Sequence, residues 1–370
     1  MKISFFTNMR TPYRTQQIDT IAANTECEID IYYVAQKTST RNWKLDRTRF
    51  CSESDINTAS FFNKIQTIFK IVKNSDVILL GGHEYIDYVI ASIFSILLRK
   101  KQVLLCDGIS AERLRKEKLS FLKKVVKRLL LKNTRAIFGN GNVTKQYFVE
   151  NWSYPSKNIF NQYLTVDTKE IKKLSKESHI IKKALREKYN ILPNKNVIVY
   201  CGRLVELKNI KIIIEALAEY ENKDGMVFFI IGGGKEQEMY QEYAQEKGVQ
   251  IVFTGFLPDP KDVYKQYFIG DCFILPSYSE SWGLVINEAA AAGLPILCST
   301  HVGASLDFVI EGENGYLFSP YDRREIKEVI HKLFYMNDIK KMGEISQRIS
   351  EHWTFEDSSK SFNKLIKSIE

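Results

Sequence analysis

Short apolar runs of strand length alternate with helical patterns twice along this chain, and that alternation constrains the fold more than any other feature. In the first half the runs are Lys2–Thr7, Glu28–Val34, Asp76–Leu80, Gln102–Cys106 and Arg135–Phe138. Helical spacing lies between them, at Phe61–Lys73, at Tyr85–Leu98 and from about Gln16. The pattern restarts with Asn196–Cys201 and continues through Val227–Ile231, Gln250–Thr254, Cys272–Leu275 and Pro295–Ser299. Here the helices begin near Ile210, span Glu236–Lys247 and start again at Leu284. Strands apolar along their whole length are buried on both faces, and helical crossovers between them make parallel neighbours. The expected fold class is therefore α/β, with two doubly wound parallel sheets. A chain of 370 residues can bury two such cores. The expected domains are 1–165 and 166–350, with a last helix within 351–370 that packs back towards the first. Phe160–Lys176 reads as the connection and residues 35–60 as a polar loop. Arg323–Phe334, Ile339–Arg348 and Phe355–Ile369 read as the closing helices.

Ligands of open α/β sheets bind beyond the carboxyl ends of the strands, so the residues there are the candidates. After Asn196–Cys201 come Gly202 and Arg203, then Lys208 and Asn209. Arginine grips phosphate as a planar fork and lysine as a point charge, a combination suited to a diphosphate. Gly232-Gly233-Gly234 and Gly255-Phe256-Leu257-Pro258 end the next two strands, the first allowing close backbone approach and the second offering a surface for a flat base. Glu280 sits in the loop after Cys272–Leu275, and Glu288 lies in the helix that follows. There is no GxxxxGK[ST] phosphate loop, no dinucleotide fingerprint with a following acid, and no Asp-x-Asp. In the first half the strand ends carry Asn8–Arg14, Gly81-Gly82-His83-Glu84, Cys106-Asp107-Gly108 and Gly139-Asn140-Gly141-Asn142.

The net charge of +9 is unevenly spread. Through Thr165 there are 26 Lys and Arg against 14 Asp and Glu, whereas the remainder has 27 against 30. Arg113–Arg135 concentrates the excess, with ten basic residues, one acid (Glu117) and apolar residues at helical spacing from Leu114 to Leu130. Such a helix either lies on an anionic membrane or packs on the core with a solvated outer face. No nucleic-acid-binding module accompanies the charge, so nucleic acid is not expected as a partner. Tyr88–Leu98, the longest apolar run, is too short to cross a bilayer and reads as a buried helix. Met1 runs into Asn8 and Arg10 without a signal peptide, and the six cysteines form no Cys-x-x-Cys pair. The expected location is the cytoplasm, peripheral on the inner face of the plasma membrane where the basic segment docks.

In this order and spacing, Gly202-Arg203…Lys208-Asn209, Ile230–Gly234, Gly255-Phe256, Glu280 with Glu288, Val302–Asp307 and Gly312–Phe318 resemble the donor half of retaining GT-B glycosyltransferases of family four. That family's signature is two glutamates separated by seven residues, as Glu280 and Glu288 are. The resemblance covers residues 195–320, and the first half only in architecture. It implies a GT-B fold of two Rossmann-like doubly wound domains facing a central cleft. It also implies retaining, metal-independent transfer of a hexosyl group from a UDP- or GDP-sugar. The acceptor it implies is a glycan or glycolipid of bacterial surface polysaccharide (O-antigen or capsule). Neither a cofactor nor a metal ion is expected. Arg203 and Lys208 would clamp the diphosphate, and Glu280 would hold the donor sugar; these three form the catalytic set. Glu288 would hold the ribose, and the amides of Gly283 and Leu284 would meet the phosphate. Gly202, Gly233, Phe256, Leu257, Ser281, Trp282 and Val285 complete the donor-binding set. Arg10, His83 and Asp107 are the acceptor-side candidates. The sequence departs from the family at Asn8–Pro12, where a Gly-Gly loop is frequent, and at Asp307, where Glu is commoner. Two other classes fit the same features: a GT-B sugar-nucleotide epimerase, against which the glutamate spacing speaks, and a non-catalytic sugar-nucleotide binding protein.

Overall fold

Among the described residues every pair of strands is parallel, as helical crossovers between successive strands require. The computed structural model describes residues 1–35, 47–56, 60–82, 84–115 and 119–370. Two units result: Met1–Ile109, Arg113–Thr165 and Phe355–Glu370 form the first, Ser110–Glu112 and Val166–Thr354 the second.

The first unit is built on β1 (Lys2–Thr7), β2 (Glu28–Tyr33), β3 (Ser52–Asp55), β4 (Val77–Leu80), β5 (Lys101–Cys106), β6 (Thr134–Gly139) and β7 (Ile159–Asn161). They are ordered β3-β2-β1-β4-β5-β6-β7. Helices α1 (Pro12–Ala23), α2 (Phe61–Lys73), α3 (Ile86–Leu97), α4 (Ala111–Arg115), α5 (Phe121–Asn133) and α6 (Gly141–Trp152) connect them. Successive strand residues alternate faces, so Phe6, Ile78, Leu104 and Ile137 meet α2, α3, α5 and α6. Phe5, Leu79, Leu105 and Phe138 face the other way, onto Ile18 and Ile21 of α1.

The second unit begins with α7 (Thr168–Ser175) and α8 (Ser178–Lys188). Then come β8 (Asn196–Cys201), α9 (Ile210–Ala218), β9 (Met226–Ile231), α10 (Gln237–Lys247), β10 (Ile251–Phe253), α11 (Pro260–Tyr267), β11 (Cys272–Leu275) and α12 (Leu284–Ala291). Next are β12 (Ile296–Ser299), α13 (Ser305–Phe308), β13 (Gly315–Phe318), α14 (Arg323–Met336) and α15 (Ile339–Ser350). The sheet order is β10-β9-β8-β11-β12-β13. In both sheets the order reverses beside the first strand, and there two strand ends diverge to leave a crevice. The last helix, α16 (Phe355–Ile369), belongs to the first unit, where Phe362, Leu365 and Ile366 cover the sheet beside α1.

Four expectations need correction. Within the supposed loop 35–60, Ser52–Asp55 pairs with β2 as an edge strand. Its Ser-Glu-Ser-Asp sequence has no apolar residue to signal it, because an edge strand outside the core needs none. Residues 36–46 and 57–59 of that stretch lie outside the described residues. The supposed connection Phe160–Lys176 overlaps β7, which pairs with β6, and contains α7. Helix α1 starts at Pro12 rather than near Gln16, since proline is pre-set for the first helical turn. Finally, the helix within Tyr88–Leu98 is only half buried: Tyr88 and Ala91 face the core, whereas Ile96 and Leu97 are exposed.

Candidate functional site

The strand-order reversal in the second unit sets the loops after β8 and β11 side by side, and these loops carry the chemistry. After β8 the chain passes Gly202 and Arg203, turns at Glu206–Lys208 and starts α9 through Asn209 in the left-handed conformation (φ 56°). The buried Asn209 amide donates to the carbonyls of Pro276 at 3.2 Å and Pro320 at 2.7 Å. The Tyr278 N–H donates to the Leu207 carbonyl at 3.0 Å. So fastened, Lys208 forms an ion pair with Glu280, both side chains mostly buried. Arg203 is exposed, and its guanidinium has no hydrogen bond or ion pair among the described residues. One cation is therefore held by a carboxylate, and the other is open.

Neighbouring strands complete the rim. The Leu204 N–H donates to the Gly233 carbonyl at 3.1 Å, and Gly232 bridges to Gly255. Gly232 has φ 123°, and a Cβ there would lie 2.3 Å from the Gly202 carbonyl oxygen. No other residue fits so close an approach. Phe256 is exposed and Leu257 half-buried directly beyond, leaving an open aromatic face.

The loop bearing Glu280 is anchored from β12. The Glu280 N–H donates to the His301 carbonyl at 3.3 Å, and the Gly303 N–H to the Glu280 carbonyl at 3.0 Å. The His301 Nδ1 bonds the Tyr278 carbonyl at 2.8 Å, which requires the proton on Nδ1. Gly283 then turns the chain at φ 93° into α12, whose first amides have no acceptor within the helix. Ser281 is exposed, and Leu284 and Val285 are half-buried beside it.

Glu288 lies one turn further along α12, where the Tyr267 hydroxyl of α11 donates to its Oε2 at 2.6 Å. Burial pushes the Glu288 carboxyl up to about 7, and the Tyr267 hydrogen bond pulls only partly the other way. Cys201, the last residue of β8, neighbours the same tyrosine. Glu288 is thus poised to change charge near neutrality.

Not every expected residue reaches the site. The Trp282 side chain faces the interior: its Nε1 donates to Asn287 Oδ1 at 3.0 Å, and its ring packs on Trp353 at 4.9 Å and on Phe308. It braces the loop instead of presenting a face. In the first unit Arg10 is no open cation, since it bonds Glu53 at 2.8 Å and lies over the Tyr33 ring at 4.2 Å. Asp107 pairs with buried Arg14, which also meets Gln162 at 3.1 Å. His83 lies outside the described residues. Conversely, the sequence names Asn209 within a motif without giving it a role, and passes over Tyr267 and His301. The Asn209 position carried a signal, because asparagine tolerates the left-handed conformation at a helix start. Tyr267 and His301 act from other elements, and no spacing links them to the glutamates.

Residues 181–351 match the family model described as glycosyl transferases group 1. The D-inositol 3-phosphate glycosyltransferase of Corynebacterium jeikeium is 29% identical over 47% of this chain and 43% of its own length. The capsular polysaccharide biosynthesis glycosyltransferase CapM of Staphylococcus aureus is 25% identical over 50% of this chain and 51% of its own. The chain thus spans about half the length of these curated relatives. HepE of Anabaena, solved in complex with UDP, superposes with a TM-score of 0.74 at 17% identity, covering 100% of both chains. The fold is GT-B.

Proposed function

We propose, from the match of residues 181–351 to the model described as glycosyl transferases group 1, that this chain is a retaining glycosyltransferase acting on a nucleoside-diphosphate sugar, with a glycan of bacterial surface polysaccharide as acceptor. One observation carries the reading: at the strand-order reversal, the Lys208–Glu280 pair stands beside unpaired Arg203. A diphosphate competes with Glu280 for Lys208 and gains Arg203 as a second partner. That exchange releases Glu280 to accept hydrogen bonds from donor-sugar hydroxyls. Glu288 takes the ribose hydroxyls, and Phe256 stacks on the base.

In the transfer step the acceptor hydroxyl oxygen bonds to the anomeric carbon on the face the diphosphate leaves. The bond between that carbon and the β-phosphate oxygen breaks, its electron pair staying on the phosphate. The acceptor proton passes to the same phosphate oxygen. Arg203, Lys208 and the first amides of α12 stabilise the growing negative charge. With two cations aimed at the diphosphate, the step asks for no metal ion and no side-chain base. The UDP held by HepE and the capsular role in the name of CapM support the donor and acceptor classes.

The test begins with UDP, GDP and ADP in thermal shift, where a ligand at about 100 times its Kd adds roughly 2.7 kcal/mol. The matching sugar nucleotides and an acceptor panel follow, with anomeric configuration read by NMR. Glycosidic product with retained configuration is expected. Nucleotide binding without turnover favours a binding protein, release of an altered free sugar favours an epimerase, and no nucleotide binding at all defeats the proposal.

A further inference from the structure

The first unit carries a surface that this reading leaves unused. Helices α2, α3 and α5 lie side by side on one face of the seven-stranded sheet. Phe69 of α2 and Phe94 of α3 meet edge to face at 5.2 Å, and α3 adjoins α5. Each helix keeps an inner stripe on the sheet, Ile68 and Val72, Tyr88 and Ala91, or Leu131. Each also turns large apolar side chains outward: Phe61 and Phe62, Ile96 and Leu97, Phe121 and Leu129. Phe121 is 83% and Leu97 70% exposed. Single exposed apolar residues are ordinary, but three adjacent helices presenting them form a patch that needs an occupant.

The charge pattern identifies that occupant. Helices α2 and α5 contain no Asp or Glu, and the one acid of α3, Asp87, is buried and paired with Lys64 at 3.1 Å. The face therefore shows no exposed carboxylate on these helices. Lys123, Lys124, Arg128 and Lys132 of α5 are exposed and make no ion pair among the described residues. Lys127 is the exception on α5, turned inward onto the Tyr147 and Trp152 rings at 4.5 Å. The cations thus flank the apolar stripe instead of being consumed by the protein.

We propose that the α2–α3–α5 face docks on an anionic membrane surface. The apolar side chains enter the boundary between headgroups and acyl chains, and the cations sit over the lipid phosphates. A second copy of the chain is a poorer fit, because two-fold pairing would set the lysines of one α5 against those of the other. Duplex nucleic acid would satisfy the cations and leave the phenylalanines and leucines in water. The surface extends the basic segment Arg113–Arg135 to two helices whose sequences carry no comparable charge signal.

Flotation of the full-length chain tests this, using phosphatidylglycerol–phosphatidylcholine vesicles and phosphatidylcholine vesicles at low salt. The charge variant is Lys123→Glu/Lys124→Glu/Arg128→Glu, and the apolar variant is Phe62→Ser/Leu97→Ser/Phe121→Ser. All six side chains are exposed, so both variants should keep the wild-type melting curve and UDP affinity, which separates this proposal from the donor-site reading. The wild type should float with the anionic vesicles only. Each lost cation should weaken partitioning about fivefold, and the charge variant at least about a hundredfold. The apolar variant should also lose flotation as salt rises. The proposal is overturned if the folded wild type does not float at low salt, or if either variant floats as the wild type does. It also falls if sedimentation velocity shows a dimer that only the apolar variant dissolves, or if duplex oligonucleotide binds more tightly than anionic vesicles.

Discussion

Lys208 and Glu280 form an ion pair, and the proposed exchange of Glu280 for a diphosphate makes opposite predictions for the two residues. Lys208→Ala should weaken UDP binding about 10- to 100-fold, the value of a charge-assisted hydrogen bond of about 1.5–3 kcal/mol. Glu280→Gln should leave UDP binding as tight or tighter while lowering transfer by about 100-fold or more. Calorimetry with UDP alongside a transfer assay separates the cases, and equal loss of binding in both variants would refute the exchange. Glu288 predicts a pH dependence. Its folded pKa of about 7 stands above the unfolded carboxylate value, so the folded state holds its proton between about 4.5 and about 7. The stability this group contributes is fully present at low pH and is lost as pH rises through that window. Ribose hydroxyls favour the ionised carboxylate, so UDP affinity should increase from pH 6 towards pH 8 and then level off (about a tenfold change per pH unit at most, below the pKa). Glu288→Gln should flatten the curve, and a flat wild-type curve in calorimetry would exclude the assignment. At this scale the spacing of the candidate residues is legible in the sequence, but what holds them is not. Arg203, Lys208, Glu280 and Glu288 stand in recognisable spacing, whereas Tyr267 and His301 reach the site through folding alone.

Among the elements, legibility followed burial. Strands β1, β4, β5, β8, β9 and β11 stand out in the sequence as mainly apolar runs, because burial on both faces favours apolar side chains at most positions. The edge strand β3 has a mostly exposed pattern and carries no such demand. It carries Glu53, which meets Arg10 at 2.8 Å, a contact no periodicity encodes. Turns can be tested directly. At Gly232 both the positive φ and the nearby Gly202 carbonyl oppose a side chain, whereas Gly312 has φ 79° with nothing within 4 Å of a Cβ. Gly232→Ala should therefore lower the melting temperature more than Gly312→Ala and weaken UDP binding about tenfold or more. Equal melting shifts in the two variants would show that backbone strain alone, about 1 kcal/mol in each, accounts for both.

At the scale of the whole molecule, the two parallel sheets with reversed strand order followed from the alternation of strands and helices. The sequence reading expects the last helix to pack back towards the first half, but the amphipathic pattern of α16 does not name the residues it meets. Phe362, Leu365 and Ile366 are buried in the first unit's core, the Gln17 amide donates to Ser358 at 2.8 Å, and the Asn363 amide donates to the Asn24 carbonyl at 2.7 Å. Three buried side chains at roughly 1.5–3 kcal/mol each approach the ~5–15 kcal/mol that holds a domain together. Removal of residues 355–370 should therefore unfold the first unit while the second keeps its UDP affinity. Hydrogen exchange resolved along the chain checks this, and retained protection in β1, β4 and β5 would contradict it.

The same helix sets an order of events during synthesis. The first unit's strands leave the ribosome early, yet the sheet face formed by Phe5, Leu79, Leu105 and Phe138 lacks part of its cover until Phe362–Ile366 has been made. The second unit has all but three of its residues in one continuous segment, Val166–Thr354, and can close as soon as that segment is complete. The first unit is thus completed only after the whole of the second unit's segment has been made, and until then its apolar sheet face lacks part of its cover.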